Sequence, residues 1–233
     1  MLKAAHRGAS GYEPENTLRA FRKAIAMDAD MIELDVRLSK DSEVVVFHDE
    51  KLDRMTGQRN AGFLKDYELS ELKKFDVGKD GKPQHIPTLQ EVFDCVNRHV
   101  KINIELKGEN TEKFVGRLIE QYVQEKGWLY SDFIISSFDA DRLKRFHDYS
   151  PKVKLGLICK KLPTNIRSLI KTIPLYSVHI SGVFLTQRQV EALHNNGVKV
   201  LVWTVNGTNL VEKFKRWKAD GLFSDYPDLL MKN

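Results

Sequence analysis

Short runs of β-branched and aliphatic residues alternate with helix-period stretches along the whole chain, and this alternation constrains the fold more than any single motif. Strand-like runs fall at residues 2–6, 31–36, 43–48, 101–106, 133–137, 152–158, 175–180, 198–205 and 221–224. Between most of them lie amphipathic segments. Leu18, Phe21, Ala24 and Ile25 share one face of residues 17–27, and Phe114, Leu118, Ile119 and Tyr122 share one face of residues 111–126. Residues 186–196 open on a capping Thr186 and stop at Gly197, as a helix does. Such alternation predicts parallel strands with right-handed crossovers, in either a closed barrel or an open doubly wound sheet. About eight units in 233 residues favour the barrel, so the expected fold class is α/β, a (β/α)8 barrel.

Nine strand-like runs are one too many for eight staves, and residues 37–42 are too few for a crossover helix. The barrel is therefore expected to be irregular at its second and third strands, with the supernumerary strand unidentified. Residues 50–87 do not alternate. They are charged, rich in glycine and proline, and are expected to form a small insertion after the third strand, with only short helical stretches such as 70–75. No linker or internal repeat interrupts the chain, so residues 1–233 are expected to be one domain. At 42% hydrophobic and 30% charged residues the composition excludes disorder. No apolar run approaches the roughly 18–20 residues of a membrane span, and no basic amphipathic segment marks a stable membrane anchor. The formal charge of +5 is spread as mixed charge without interleaved aromatics, so no nucleic-acid partner is expected. No secretory signal is recognisable, and Cys95 and Cys159 are expected to be reduced and buried, in a cytoplasmic protein.

Catalytic groups of a barrel sit at the carboxyl ends of its strands. Four such ends are polar: His6-Arg7-Gly8, Ile32-Glu33-Leu34-Asp35-Val36, Val45-Val46-Phe47-His48-Asp49, and Ile102-Asn103-Ile104-Glu105-Leu106-Lys107. The period of two puts Glu33 and Asp35 on one face of their strand. Both faces of a barrel strand are ordinarily apolar, so two inward acids need a positive partner. With Glu105 they make three oxygen donors and no thiolate, which suits one hard divalent cation, Mg²⁺ or Ca²⁺. The alternative is pairing of Glu33 and Asp35 with Arg7 and Lys107. His6 and His48, at two further strand ends, are a matched acid and base: one imidazole removes a proton from a nucleophile and the other protonates a leaving alkoxide. Arg7 offers a fork that fits phosphate oxygens, so the set points to a phosphate ester.

These stretches, with Pro14-Glu15-Asn16-Thr17, Leu52-Asp53-Arg54, Trp203-Thr204-Val205-Asn206 and Ser224-Asp225-Tyr226-Pro227, resemble the glycerophosphodiester phosphodiesterase family over nearly the whole chain. The resemblance implies a distorted (β/α)8 barrel of the kind shared with phosphatidylinositol-specific phospholipases C. It also implies metal-dependent hydrolysis of small glycerophosphodiesters, such as glycerophosphocholine and glycerophosphoethanolamine, to glycerol 3-phosphate and an alcohol. On that pattern His6 and His48 are acid and base, and Glu33, Asp35 and Glu105 are metal ligands. Arg7 and Lys107 lie near the phosphate, Glu15 and Asn16 support the first loop, and Trp203 is an aromatic pocket wall. The sequence departs from the family at Ala29, Ser42 and Met55, and the Ser42 turn reaches a positive φ less readily than the usual glycine. Two rival readings keep the site: a lysophospholipase D-like hydrolase, and a barrel that binds glycerophosphodiesters without cleaving them.

Other polar residues leave their roles open. Asp49 orients His48, joins the metal shell or faces solvent. His179, Ser136 and Ser137 end strands and either line the mouth or serve the core. Phe138 either lines a small-molecule pocket with Trp203 or, as the favoured expectation, packs in the core; Asp225 is shared between barrel closure and the site, and His85, His99, His147 and His194 have no expected role.

Overall fold

Each expected run carries a strand in the computed structural model, which describes residues 1–57, 61–79 and 81–230. The strands are β1 (Leu2–Ala5), β2 (Met31–Leu38), β3 (Val44–Val46), β4 (Lys101–Leu106), β5 (Phe133–Ser137), β6 (Lys154–Cys159), β7 (Leu175–Ser181), β8 (Lys199–Trp203) and β9 (Gly221–Ser224). Eight of them close a parallel ring in the order β1-β2-β4-β5-β6-β7-β8-β9, with β9 returning to β1. Helices cover the outside: α1 (Leu18–Ala26), α4 (Leu89–Val96), α5 (Thr111–Glu125), α6 (Ala140–Tyr149), α7 (Ile166–Thr172), α8 (Gln187–His194) and α9 (Thr208–Arg216). The short α2 (Asp53–Thr56) and α3 (Leu69–Leu72) belong to the long connection after β3. No helix of the described residues is long and apolar enough to cross a membrane.

Local chemistry sets these boundaries. The Thr17 hydroxyl accepts the Ala20 N–H (3.2 Å) at the start of α1, and reciprocal caps pair Thr88 with Glu91 and Thr186 with Gln189 at α4 and α8. Strand residues alternate between two apolar clusters. Ile32, Leu34, Ile102, Ile104, Val200 and Val202 face the helices, while Ala4, Met31, Ile134, Leu201 and Phe223 fill the inside of the ring. Further along β1, β2, β4 and β5 the inward residues are polar (His6, Glu33, Asp35, Asn103, Glu105 and Ser136), whereas β6 and β9 present Ile158 and Phe223 to the same end.

The supernumerary strand is β3, and the reason is geometric. β1 ends at Ala5 opposite Ile32, whereas β2 continues to Leu38. That leaves one edge of β2 bare above the ring. Residues 39–43 turn the chain back, and β3 pairs antiparallel to that edge, Val36 with Val46 and Leu38 with Val44. The turn has Ser42 at φ +65°, so serine takes up the left-handed conformation that glycine adopts more easily, with Ser39 Oγ accepting the Glu43 N–H at 2.9 Å.

The described part of residues 50–87 shares a small apolar cluster with Val45 of β3 and Phe47, to which it contributes Leu52, Leu64, Leu72 and Ile86. Residues 58–60 and 80 of the expected insertion, and 231–233 of the expected domain, lie outside the described residues. Both cysteines are free. Cys159 is buried as expected, but Cys95 is only half-buried on α4.

Candidate active site

The β2–β4 ladder assembles the acids. Asp35 lies opposite Glu105 in register, and Glu33 lies two residues back on the same face of β2. One oxygen from each of Glu33, Asp35 and Glu105 lies within 4.8 Å of the others, and the residues are 4%, 1% and 8% exposed. Burial and the neighbouring Asp35 charge push the Glu33 carboxyl up to about 7, and the same causes push Glu105 to about 8. Asp35 goes the other way. Burial raises it, but the charges of Arg7, Lys107 and His48 together hold it below the usual carboxylate range.

Both readings of these acids meet in one place. Lys107 Nζ lies 2.8 Å from Glu105 Oε1 and 3.6 Å from Asp35 Oδ1, and Arg7 Nε lies 3.4 Å from Asp35 Oδ2. Arg7 sits at φ +55°, which aims its backbone N–H at Glu33 Oε2 (2.8 Å), and Asn16 Nδ2 donates to Asp35 Oδ2 (2.8 Å). Gly8 follows at φ +81° with its Cα against Ala20 of α1, where a Cβ would fall 2.8 Å from the helix backbone. Even so, Asp35 Oδ1 remains buried without a hydrogen bond. A crowded set of carboxylate oxygens, one of them without a donor, is the chemistry a hard divalent cation satisfies, so the residues fit such an ion.

The two histidines are each held at Nδ1 by a carboxylate. His6 Nδ1 donates to Asp225 Oδ1 (2.7 Å), which also accepts from Ser10 Oγ (2.9 Å), while Asn206 Nδ2 donates to Asp225 Oδ2 (2.6 Å). Burial alone lowers the His6 pKa, but the Asp225 bond and the Glu33 charge outweigh it and the value is raised. His48 reaches the site from β3, and its Nδ1 donates to Asp49 Oδ1 (2.5 Å). There burial prevails over the Asp35 charge and the Asp49 bond, and the His48 pKa is lowered. Arg54 clamps this side, with Nε on Asp49 Oδ2 (2.6 Å) and Nη2 on Glu15 Oε1 (2.7 Å). Glu15 also accepts from Arg7 Nη1 (2.9 Å).

His6, Arg7, Glu33, His48, Glu105, Lys107 and Trp203 line one cavity of about 310 Å³ at the strand carboxyl ends; Asp35 does not line it. Trp203 is fixed by donation from Nε1 to the His179 carbonyl (3.0 Å). Phe138 is not a core residue. It is 48% exposed, stands edge-on to Trp203 (6.0 Å between centroids) and lines the cavity. His179 lines the cavity from the buried side, hydrogen-bonded through Nε2 to Ser177 Oγ (2.9 Å), and burial pushes its pKa down to about 3. A Cβ on Gly156 would lie 2.6 Å from that Nε2, so glycine makes room for the ring. Ser136 and Ser137 are buried outside the cavity, bonded to Asn103 Nδ2 (3.0 Å) and the Leu106 carbonyl (3.2 Å). His85, His99, His147 and His194 do not line it. The sequence reading missed Asn103, a cavity residue with a buried and unbonded Oδ1, and missed the clamps Arg54 and Asn206. Asn103 was marked by its inward position two residues before Glu105, and the clamps by their place in the Leu52-Asp53-Arg54 and Trp203-Thr204-Val205-Asn206 stretches, though strand periodicity says nothing of them.

Comparison with known proteins bears on the fold and the family. The model of the glycerophosphoryl diester phosphodiesterase family matches residues 6–229. A glycerophosphodiester phosphodiesterase of Caldanaerobacter subterraneus subsp. tengcongensis is 36% identical over 241 residues, covering 99% of this chain and 96% of the relative. Lysophospholipase D GDPD1 of Mus musculus is 31% identical over 263 residues, covering 97% and 83%. The structure of an Oleispira antarctica phosphodiesterase in complex with the product sn-glycerol-3-phosphate superposes with a TM-score of 0.90 at 30% identity, covering 99% of this chain and 95% of that one. Fold and sequence thus agree, and the chain belongs to the glycerophosphoryl diester phosphodiesterase family of hydrolases.

Proposed function

We propose that the chain hydrolyses small glycerophosphodiesters to glycerol 3-phosphate and an alcohol, with His6 and His48 as acid and base. The observation that carries this reading is the pair of carboxylate-anchored imidazoles that line one cavity together with Glu33 and Glu105 of the acid cluster. Glu33, Asp35 and Glu105 would hold one divalent cation, Mg²⁺ or Ca²⁺, which when bound supplies Lewis-acid polarisation of a phosphoryl oxygen. Arg7 and Lys107 orient the phosphate and offset its charge. With Nδ1 committed to a carboxylate, each histidine offers Nε2 to the substrate. His48, whose pKa is lowered, takes the proton from the nucleophile at Nε2. His6, whose pKa is raised by Asp225, delivers one from Nε2 to the leaving alkoxide. Trp203 and Phe138 wall the organic part of the substrate.

The reading is tested by following glycerol 3-phosphate release from glycerophosphocholine and glycerophosphoethanolamine by the full chain. Release that survives a chelator, or survives substitution of both histidines, would refute it. His6→Ala and His48→Ala are each expected to lower kcat at least about 10²-fold. An aryl phosphodiester with an acidic leaving group needs no proton at that oxygen, so it should restore turnover to His6→Ala and not to His48→Ala; the reverse outcome exchanges the two roles. A second reading, cleavage of a lysophospholipid at the same site, is favoured by the exposed edge of Phe138 at the mouth and by the likeness to a lysophospholipase D. Relative rates on glycerophosphocholine and lysophosphatidylcholine decide between them.

A further inference from the structure

Nine large hydrophobic side chains are exposed among the described residues, and they are unevenly placed. Tyr12, Phe138, Leu210 and the adjacent Val183 and Phe184 follow strand carboxyl ends, and Phe63 lies in the connection that follows β3. All six therefore belong to the strand-carboxyl end of the barrel, where the cavity opens, and Phe138 lines the cavity itself. The remaining three lie at the opposite, strand-amino end. Val183 is 81% exposed and Phe184 44%, in the turn between β7 and α8. Lysines accompany the rings on the same face. Lys161 Nζ is 4.7 Å from the Phe184 centroid, Lys51 and Lys65 are 5.1 and 6.0 Å from that of Phe63, and Lys107 is 5.8 Å from that of Phe138. Lys51, Lys65 and Lys161 are themselves exposed.

We propose that this face docks reversibly on an anionic lipid surface, with Val183 and Phe184 entering the interface and Lys51, Lys65 and Lys161 meeting lipid phosphates. Exposed apolar groups on a water-soluble fold cost hydration free energy that an acyl boundary returns. Lysines flanking rings on one face provide the matching charge, because each basic group near an anionic leaflet adds to partitioning within a Debye length. A second copy of the chain is a poorer occupant, since juxtaposing two such faces brings the lysines together. The six apolar residues come from five separate stretches of the chain, so no single amphipathic segment announces the surface. The proposal stands apart from the reaction above, because binding is read without turnover.

The test is sedimentation of the full chain with sucrose-loaded vesicles of phosphatidylcholine alone or with about one-third phosphatidylglycerol, in about 0.1 M salt. Binding is expected on the anionic vesicles, with loss on raising the salt several-fold. The double variant Val183→Ser/Phe184→Ser and the single variant Lys161→Glu should each weaken partitioning by about tenfold or more. Phe63→Ser provides a second, independent variant. None of these residues lines the catalytic cavity, so release of glycerol 3-phosphate from dissolved glycerophosphocholine should be unchanged in all of them. No binding to either vesicle overturns the proposal, as does binding that the variants leave intact. Light scattering that shows a dimer of the wild type dissolved by Val183→Ser/Phe184→Ser assigns the face to self-association and overturns it as well.

Discussion

At the scale of single residues, the chemistry rests on polar groups whose environment leaves little choice of partner. His179 is the clearest case. Its ring is buried on the inner side of the cavity, and burial holds its pKa at about 3 against an ordinary value of 6.5. Between those values the unfolded chain takes up a proton that the folded chain refuses. The stability due to a neutral His179 is therefore complete above pH 6.5 and declines as pH falls towards 3. From neutral pH to about pH 5 this amounts to about 2 kcal/mol. Urea unfolding of wild type and His179→Gln at both pH values should show a flatter dependence in the variant. The residues bound to strand periodicity were legible in the sequence: Glu33, Asp35 and Glu105 lie inward because every second residue does. What hydrogen bonding decides was not. The roles of Asp49 and Asp225 follow only from their carboxylates on the two imidazoles, and core packing is the natural expectation for Phe138 because apolar character does not report which side of a rim a ring occupies.

At the scale of elements, the hairpin of β2 and β3 and the connection that follows it bring His48 to the site. Alternation revealed nine strands and correctly demanded that one lie outside the ring. It could not say which, because a run of valines reads alike whether its neighbour is parallel or antiparallel. Pairing direction depended on the unequal lengths of β1 and β2, a tertiary property. Arg54 ties this region to the first loop through Glu15 and Asp49, with half its own side chain exposed. Arg54→Ala should leave thermal stability nearly unchanged, as for most surface substitutions. It should lower kcat about tenfold, because the Asp49 carboxylate loses the guanidinium that fixes it behind His48. KM is expected to move less than kcat, and Arg54→Lys should restore part of the loss. Equal falls in stability and activity would make the clamp merely structural.

At the scale of the molecule, the barrel confines three carboxyl groups between a floor of apolar side chains and an open mouth, where burial and the Asp35 charge push Glu33 and Glu105 up to about 7 and 8. That arrangement stores repulsion which a bound cation relieves, and an ion that binds only the folded chain stabilises it by mass action. Thermal unfolding should therefore shift upward with millimolar Mg²⁺ or Ca²⁺. Glu33→Gln should raise the midpoint measured in chelator and largely abolish its response to either ion; a response equal to that of wild type would remove Glu33 from the ligand set. The antiparallel course of β3 has a further consequence. One imidazole is carried by the closed ring and the other by a graft laid across its top with a miniature core beneath it. If His48 acts as proposed, loosening that graft should silence the chemistry while the staves stay joined, and inactivation by mild denaturant is expected before the barrel itself comes apart.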